Sequence, residues 1–227
     1  MTAPFIVLDG TDGSGKGTQT KLLVERLRNK GKRVEHFSFP RYGNPSAFFV
    51  ENYLNGAYGT SAEVGAYTSS LFYALDRFDA SAEIRKALAS EAIVISDRYV
   101  SSNKGHQMAK LTDPQERKTF LDWINDVEYQ KLNIPKPDLT ILLHVPAEIA
   151  YGLIAKKDER SYLHGKPRDI HEADIEHLKT AEAAYLELPN IDAAENWEVL
   201  SCMEDKRLLS IKEVHERLWE RVSAIVG

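Results

Sequence analysis

Cysteine is all but missing from this chain. Its 227 residues include one, Cys202, so no disulfide can form within it. That usage suits a reducing compartment, and the expectation is a cytoplasmic protein held together by its core. Cys202 stands in an apolar run without an electropositive neighbourhood, the setting of a core side chain rather than a reactive thiolate. Long hydrophobic runs are missing too. None approaches the roughly 20 residues of a bilayer span, and the N-terminus enters an apolar strand without a basic flank, so neither a membrane segment nor a leader is expected. Excess positive charge is the third absence. A net charge of −5 argues against a general nucleic-acid binder. It leaves room for small phosphorylated ligands, which need only local positive charge. With no internal repeat or low-complexity tract, the length implies a single domain over residues 1–227.

Five short apolar runs have the composition of buried parallel strands: residues 5–9, 34–39, 92–97, 139–145 and 197–202. Helical patterns separate them. Leu23 and Leu27 share one face, as do Ile211, Val214, Leu218 and Val222 near the end. Strands alternating with helices predict a doubly wound α/β fold: a five-stranded parallel sheet flanked by helices, with ligands bound beyond the carboxyl ends of the strands. Residues 156–168, KKDERSYLHGKPR, break the pattern. The stretch is basic and nearly devoid of apolar side chains; it is either a solvated surface loop or a mobile lid.

The first strand runs into GTDGSGKGT, Gly10 to Thr18, and a helix pattern follows. The spacing Gly10-x4-Gly15-Lys16 is that of a Walker A phosphate loop. Phosphates must lie against backbone N–H groups, so Gly10, Gly13 and Gly15, with Thr11, Asp12 and Ser14 between them, form the expected ATP cradle. Lys16 reaches the outer phosphates. The Ser or Thr that normally follows the lysine and touches magnesium is here Gly17, with Thr18 after it. Mg²⁺ is therefore expected to be held through water and other groups. At the end of the third strand, Asp97-Arg98-Tyr99 faces this loop. Arg98 suits a bidentate grip on phosphate and Asp97 suits magnesium or its waters.

A phosphate loop does not name a reaction. A GTPase should carry Asn-Lys-x-Asp; Asn103-Lys104-Gly105-His106 lacks the aspartate. A motor needs partner domains for which the chain is too short. That leaves a nucleotide kinase or a non-catalytic nucleotide-binding regulator. Four blocks then make the sequence resemble the thymidylate kinase family over essentially its whole length: LDGTDGSGKGTQ, FPRYG (Phe39 to Gly43), LFYALDR (Leu71 to Arg77) and DRYVSSNKGHQ (Asp97 to Gln107).

The resemblance implies a P-loop nucleoside-monophosphate kinase with a lid over residues 156–168, ATP as donor, dTMP as acceptor, Mg²⁺ and a homodimer. Asp12 takes the place of the family's P-loop carboxylate, near the sugar and the metal. Phe39 and Tyr42 wall the acceptor and Arg41 attracts phosphate. Tyr73 stands where the family stacks a Phe on the base, with Arg77 four residues on for its carbonyl edge. Arg98 clamps the acceptor phosphate. Ser102, Asn103 and Gln107 fall where the base is read, and His106 where a Tyr or Phe crowds the sugar 2′ position. With Gly13 in the P-loop, the catalytic arginines come from the lid: Arg160 and Arg168, with Lys156, Lys157 and Lys166 nearby. Asp169, His171 and Glu172 match a segment near the metal and monophosphate, so Asp12, Asp97 and Glu172 are the expected metal groups. His144 replaces a common Asp in the fourth strand and is expected to be a hydrogen-bonded core histidine. The runner-up is a kinase of dUMP or AMP.

Overall fold

The computed structural model describes residues 3–154 and 175–227. Five parallel strands form the sheet: β1 (Phe5–Asp9), β2 (Val34–Ser38), β3 (Ile93–Asp97), β4 (Leu139–His144) and β5 (Trp197–Ser201), in the order β2-β3-β1-β4-β5. Each lies within a residue of its predicted run. β1 is central and wholly buried. Its alternation divides the core: Phe5 and Val7 face one layer, Ile6 and Leu8 the other. The first layer is built from α3 (Ser61–Ala89), α4 (Val100–Met108), α5 (Pro114–Asn125) and α7 (Ile175–Ile191), through Ile84, Val100, Phe120 and Leu188. The second is built from α1 (Lys16–Asn29) and α8 (Ile211–Val226), through Leu23, Leu27, Val214 and Leu218. Helices on both faces make the sheet doubly wound, as the alternation predicted.

Two expectations are corrected. Burial on both faces holds for β1, β3 and β4 but not for the edges: in β2 only Val34 is buried, and in β5 only Leu200. An edge strand has one neighbour and an open margin, which is why Glu35, His36 and Glu198 are tolerated there. Ile211, placed on the apolar stripe of α8, is 60% exposed because it opens the helix before its inward face begins. The capping box of Ser210 and Glu213 fixes that start.

Two further helices complete the cleft, α2 (Phe48–Leu54) and α6 (Ala147–Ile154), together with a wide π-type turn over Asp126–Lys131. α3 starts on a capping box at Thr60 and Glu63 and is kinked where Gly65 takes φ 74°. The expected lid, residues 156–168, lies outside the described residues.

Candidate active site

The carboxyl ends of β1 and β3 open into one cavity of about 510 Å³. At its phosphate end the Gly10–Thr18 loop turns into α1. Gly10 and Gly13 have φ of 143° and 84°. A Cβ on Gly10 would stand 2.5 Å from the Leu143 carbonyl oxygen, and one on Gly13 would stand 2.4 Å from that of Ala150. Both must be glycine for the loop to lie against β4 and α6. Gly10, Thr11 and Ser14 are buried beneath the loop, while Asp12, Gly13 and Gly15 to Thr18 line the cavity.

Lys16 Nζ donates to the Thr11 carbonyl at 2.9 Å. Burial, aided by the neighbouring Arg98, lowers its pKa to about 8 against the pull of Asp12, Asp97 and Asp9. Among the described residues it is a desolvated cation without a contacting carboxylate, the state in which a phosphate gains most from binding. Arg98, held at φ 67°, ion-pairs with Asp12 and donates to Ser102 Oγ at 3.3 Å. Burial opposes its charge, but Asp12, Asp9 and Asp97 outweigh that. His106 Nε2 lies 3.2 Å from Arg98 Nη1. A guanidinium only donates, so Nε2 is the acceptor there.

Burial raises the Asp97 pKa, with Lys16 and Arg98 counteracting. Its Oδ2 lies 3.1 Å from the point where a Cβ on Gly17 would stand. The carboxylate therefore occupies the neighbourhood that a Walker A hydroxyl usually serves. No cluster of three metal-ligating side chains occurs among the described residues. Magnesium on a nucleotide draws most of its ligands from phosphates and water and needs one or two carboxylates. Asp97 and Asp12 fit that requirement.

The other end of the cavity is walled by Phe39, Pro40, Tyr42, Leu54 and Tyr73. Tyr73 and Arg77 both line it, as the four-residue spacing on α3 predicts. Arg77 is almost fully buried and grips Glu128 bidentately, Nε to Oε2 at 2.6 Å and Nη2 to Oε1 at 2.5 Å. A third bond runs from Nη1 to the Tyr99 carbonyl at 3.3 Å. Asn103 Nδ2 donates to the Ser70 carbonyl and to Glu128 Oε1, both at 3.0 Å. Gln107 Oε1 accepts from Ser69 Oγ at 2.8 Å.

Arg41 stands apart from its expected place. It is not among the cavity's lining residues; its guanidinium is taken by Asp76, Asp79 and Ser46. Arg160, Arg168, His171 and Glu172, with Lys156, Lys157, Lys166 and Asp169, lie outside the described residues. His144 is hydrogen-bonded as expected, its Nε2 2.6 Å from Glu182 Oε1. Cys202 is buried, and burial raises its pKa to about 11.

Two residues escaped sequence reasoning. Glu128 carries no motif and comes from a turn 51 residues beyond Arg77. Asp9 accepts from Gly10 N at 2.7 Å, Ser102 Oγ at 2.8 Å and Tyr185 OH at 2.9 Å, tying the loop to α4 and α7. An acid ending an otherwise apolar strand was the signal available for it.

A phosphate loop after the first strand, an arginine facing it from β3 and an aromatic pocket beyond define a P-loop nucleoside-monophosphate kinase. Residues 8–216 match the family model described as thymidylate kinase. A thymidylate kinase of Mycobacterium tuberculosis is 34% identical over 194 residues, covering 85% of this chain and 87% of that one. A probable thymidylate kinase of Thermococcus kodakarensis is 30% identical over 231 residues, covering 98% of both. The chain belongs to the thymidylate kinase family. A solved thymidylate kinase from Candida albicans shares the fold, with a TM-score of 0.73 at 21% identity over 98% of this chain and 92% of that one.

Proposed function

We propose that this chain transfers the γ-phosphoryl group of ATP to the 5′-phosphate of dTMP, giving dTDP and ADP. An oxygen of the acceptor phosphate attacks the γ-phosphorus and the bond to the ADP oxygen breaks. The acceptor oxygen is already ionised, so alignment and charge neutralisation carry the catalysis. The P-loop and Lys16 hold the donor phosphates, Arg98 draws in the acceptor phosphate, and the expected lid arginines Arg160 and Arg168 share the developing charge. Asp97 and Asp12 would hold Mg²⁺, which would supply neutralisation of the phosphate charge.

One observation supports a thymine-type base above cytosine and adenine: the donor and acceptor pattern left at the pocket's far end. Arg77 uses three of its five N–H groups on Glu128 and Tyr99, so donors remain for a base carbonyl. Both N–H groups of Asn103 are used, so its Oδ1 is left as an acceptor. A donor beside an acceptor complements the C=O and N–H of thymine; cytosine and adenine present the reverse order. Tyr73 supplies the stacking surface.

The homodimer belongs to the same reading. Leu71, Leu75 and Phe78 make an apolar stripe on α3 and are 42%, 46% and 47% exposed, a face suited to a second copy of the chain. No described helix is long and apolar enough to cross a membrane; that and the lone buried Cys202 support the cytoplasmic placement. The test is a coupled ADP-release assay with ATP and Mg²⁺, offering dTMP, dUMP, dCMP, UMP and AMP. Turnover should be fastest with dTMP and poor with dCMP and AMP. Preference for AMP or dCMP would overturn the base-end assignment, and turnover with none would favour a nucleotide-binding regulator.

A further inference from the structure

Lys110 follows α4 and is half-buried; like Lys16 it contacts no carboxylate among the described residues, but unlike Lys16 it does not line the cavity. Its ammonium donates to Tyr53 Oη at 2.9 Å and Ser69 Oγ at 3.1 Å, and lies 3.5 Å from the Gly65 carbonyl oxygen. Every partner is a neutral oxygen. Burial without a carboxylate lowers its pKa to about 7. Lys104, six residues earlier and within α4, is instead clamped between Asp192 and Glu195. A half-buried cation that meets only neutral oxygens among the described residues gives up solvation without gaining a counter-ion, and so needs another reason to be there.

Both contacts of Lys110 lead to the base end of the cleft. Through α2 it holds Tyr53, whose ring lies edge-on to Tyr73 at 6.3 Å and 89°. Through α3 it holds Ser69, which donates to Gln107 Oε1. Ser69 has one proton and three acceptors in reach: Gly65 O at 2.5 Å, Ala66 O at 3.2 Å and Gln107 Oε1 at 2.8 Å. An ammonium that donates to Ser69 Oγ and faces the Gly65 carbonyl competes for that carbonyl, and so steers the Ser69 proton to Gln107. The Gln107 carboxamide then keeps its oxygen inward and turns its N–H₂ to the cleft.

We infer that Lys110 is a positioning residue for the acceptor's base, setting the stacking wall through Tyr53 and the Gln107 amide through Ser69. The inference rests on the base-end reading of Tyr73 and Gln107 given above. Tyr53 is the titratable side chain that contacts Lys110, and Ser69, Gly65 and Gln107 add no charge.

The test compares steady-state kinetics of the full chain and its K110M, K110R and Y73A variants. K110M should raise the KM for dTMP about tenfold, the scale of a lost hydrogen bond to a charged group. Its kcat and its KM for ATP should stay within about twofold, and K110R should recover most of the loss. In the unsubstituted protein the KM for dTMP should rise as pH passes upward through about 7, where Lys110 loses its proton, and this rise should be missing in K110M. Should K110M not fold, the pH profile of K110R carries the test: its guanidinium keeps its charge, so the rise in the KM for dTMP through about 7 should be missing there, and a rise as large as in the unsubstituted protein would overturn the inference. An unchanged KM for dTMP in K110M with Y73A impaired would overturn the inference and leave the base end intact. No effect in Y73A either would overturn the base-end reading itself. Equal losses for dTMP and ATP would mark Lys110 as general scaffolding and also overturn the inference.

Discussion

Two arginines, Arg98 and Arg77, mark the two ends of the cleft and are held in opposite ways. Arg98 has a side chain 16% exposed, paired with an Asp12 that is 14% exposed. Arg77 is 2% exposed and its partner Glu128 is at 0%. The first pair can open, because a phosphate offers Arg98 a better bidentate partner than Asp12 does. The second stays closed, because separating two charges buried that deeply leaves each without solvent or partner. The phosphate end thus stores charge for a ligand, whereas the base end has cancelled its charge and recognises by leftover donors and acceptors. One residue type serves both tasks because burial of its partner decides whether it binds by charge or by shape.

The largest way to break this contrast is at the phosphate end. Lys16→Ala and Arg98→Ala should each cut kcat by about 10²–10³, the scale of losing one preorganised charge contact, with the fold intact by circular dichroism. Normal turnover in either would remove it from the mechanism. A smaller and different effect is expected at the base end. Glu128→Gln keeps the shape but leaves Arg77 as a buried unpaired cation, so it should cost about 3 kcal/mol of stability, measured by urea denaturation. It should also raise the KM for dTMP without moving that for ATP. A loss of kcat with unchanged stability would mean that Glu128 acts in the chemistry rather than on Arg77.

The two ends were unequally legible in the sequence. The phosphate end is local: Gly10 to Thr18 is one continuous loop, and Asp97-Arg98 sits at a strand end whose place follows from the topology. Tyr73 and Arg77 were legible for a similar reason, since a four-residue spacing on a helix fixes a shared face. What holds them was not. Glu128 arrives from a π-type turn that no periodicity announces, and Asp9 gains meaning only when Ser102 and Tyr185 close on it. Gly105 carries no pattern in the sequence that marks it as a packing residue. A Cβ there would meet the Tyr185 ring at 2.4 Å, so it is what lets α4 and α7 pack so closely. Arg41 is engaged by Asp76 and Asp79, which lie 35 and 38 residues away, beyond the reach of any local pattern. Residue types suggested which groups bind; which were already engaged depended on contacts distant in sequence.

The division of the cleft is tested most directly by calorimetry of dTMP and of thymidine, which lacks the phosphate, against the unsubstituted protein, Arg98→Ala and Glu128→Gln. Arg98→Ala should weaken dTMP about a hundredfold, as loss of a charge-assisted bidentate contact implies, and leave thymidine unchanged. Glu128→Gln should weaken both ligands by the same factor. If Arg98→Ala weakened thymidine as much as dTMP, or Glu128→Gln spared thymidine, the separation of a charged phosphate end from a neutral base end would be wrong.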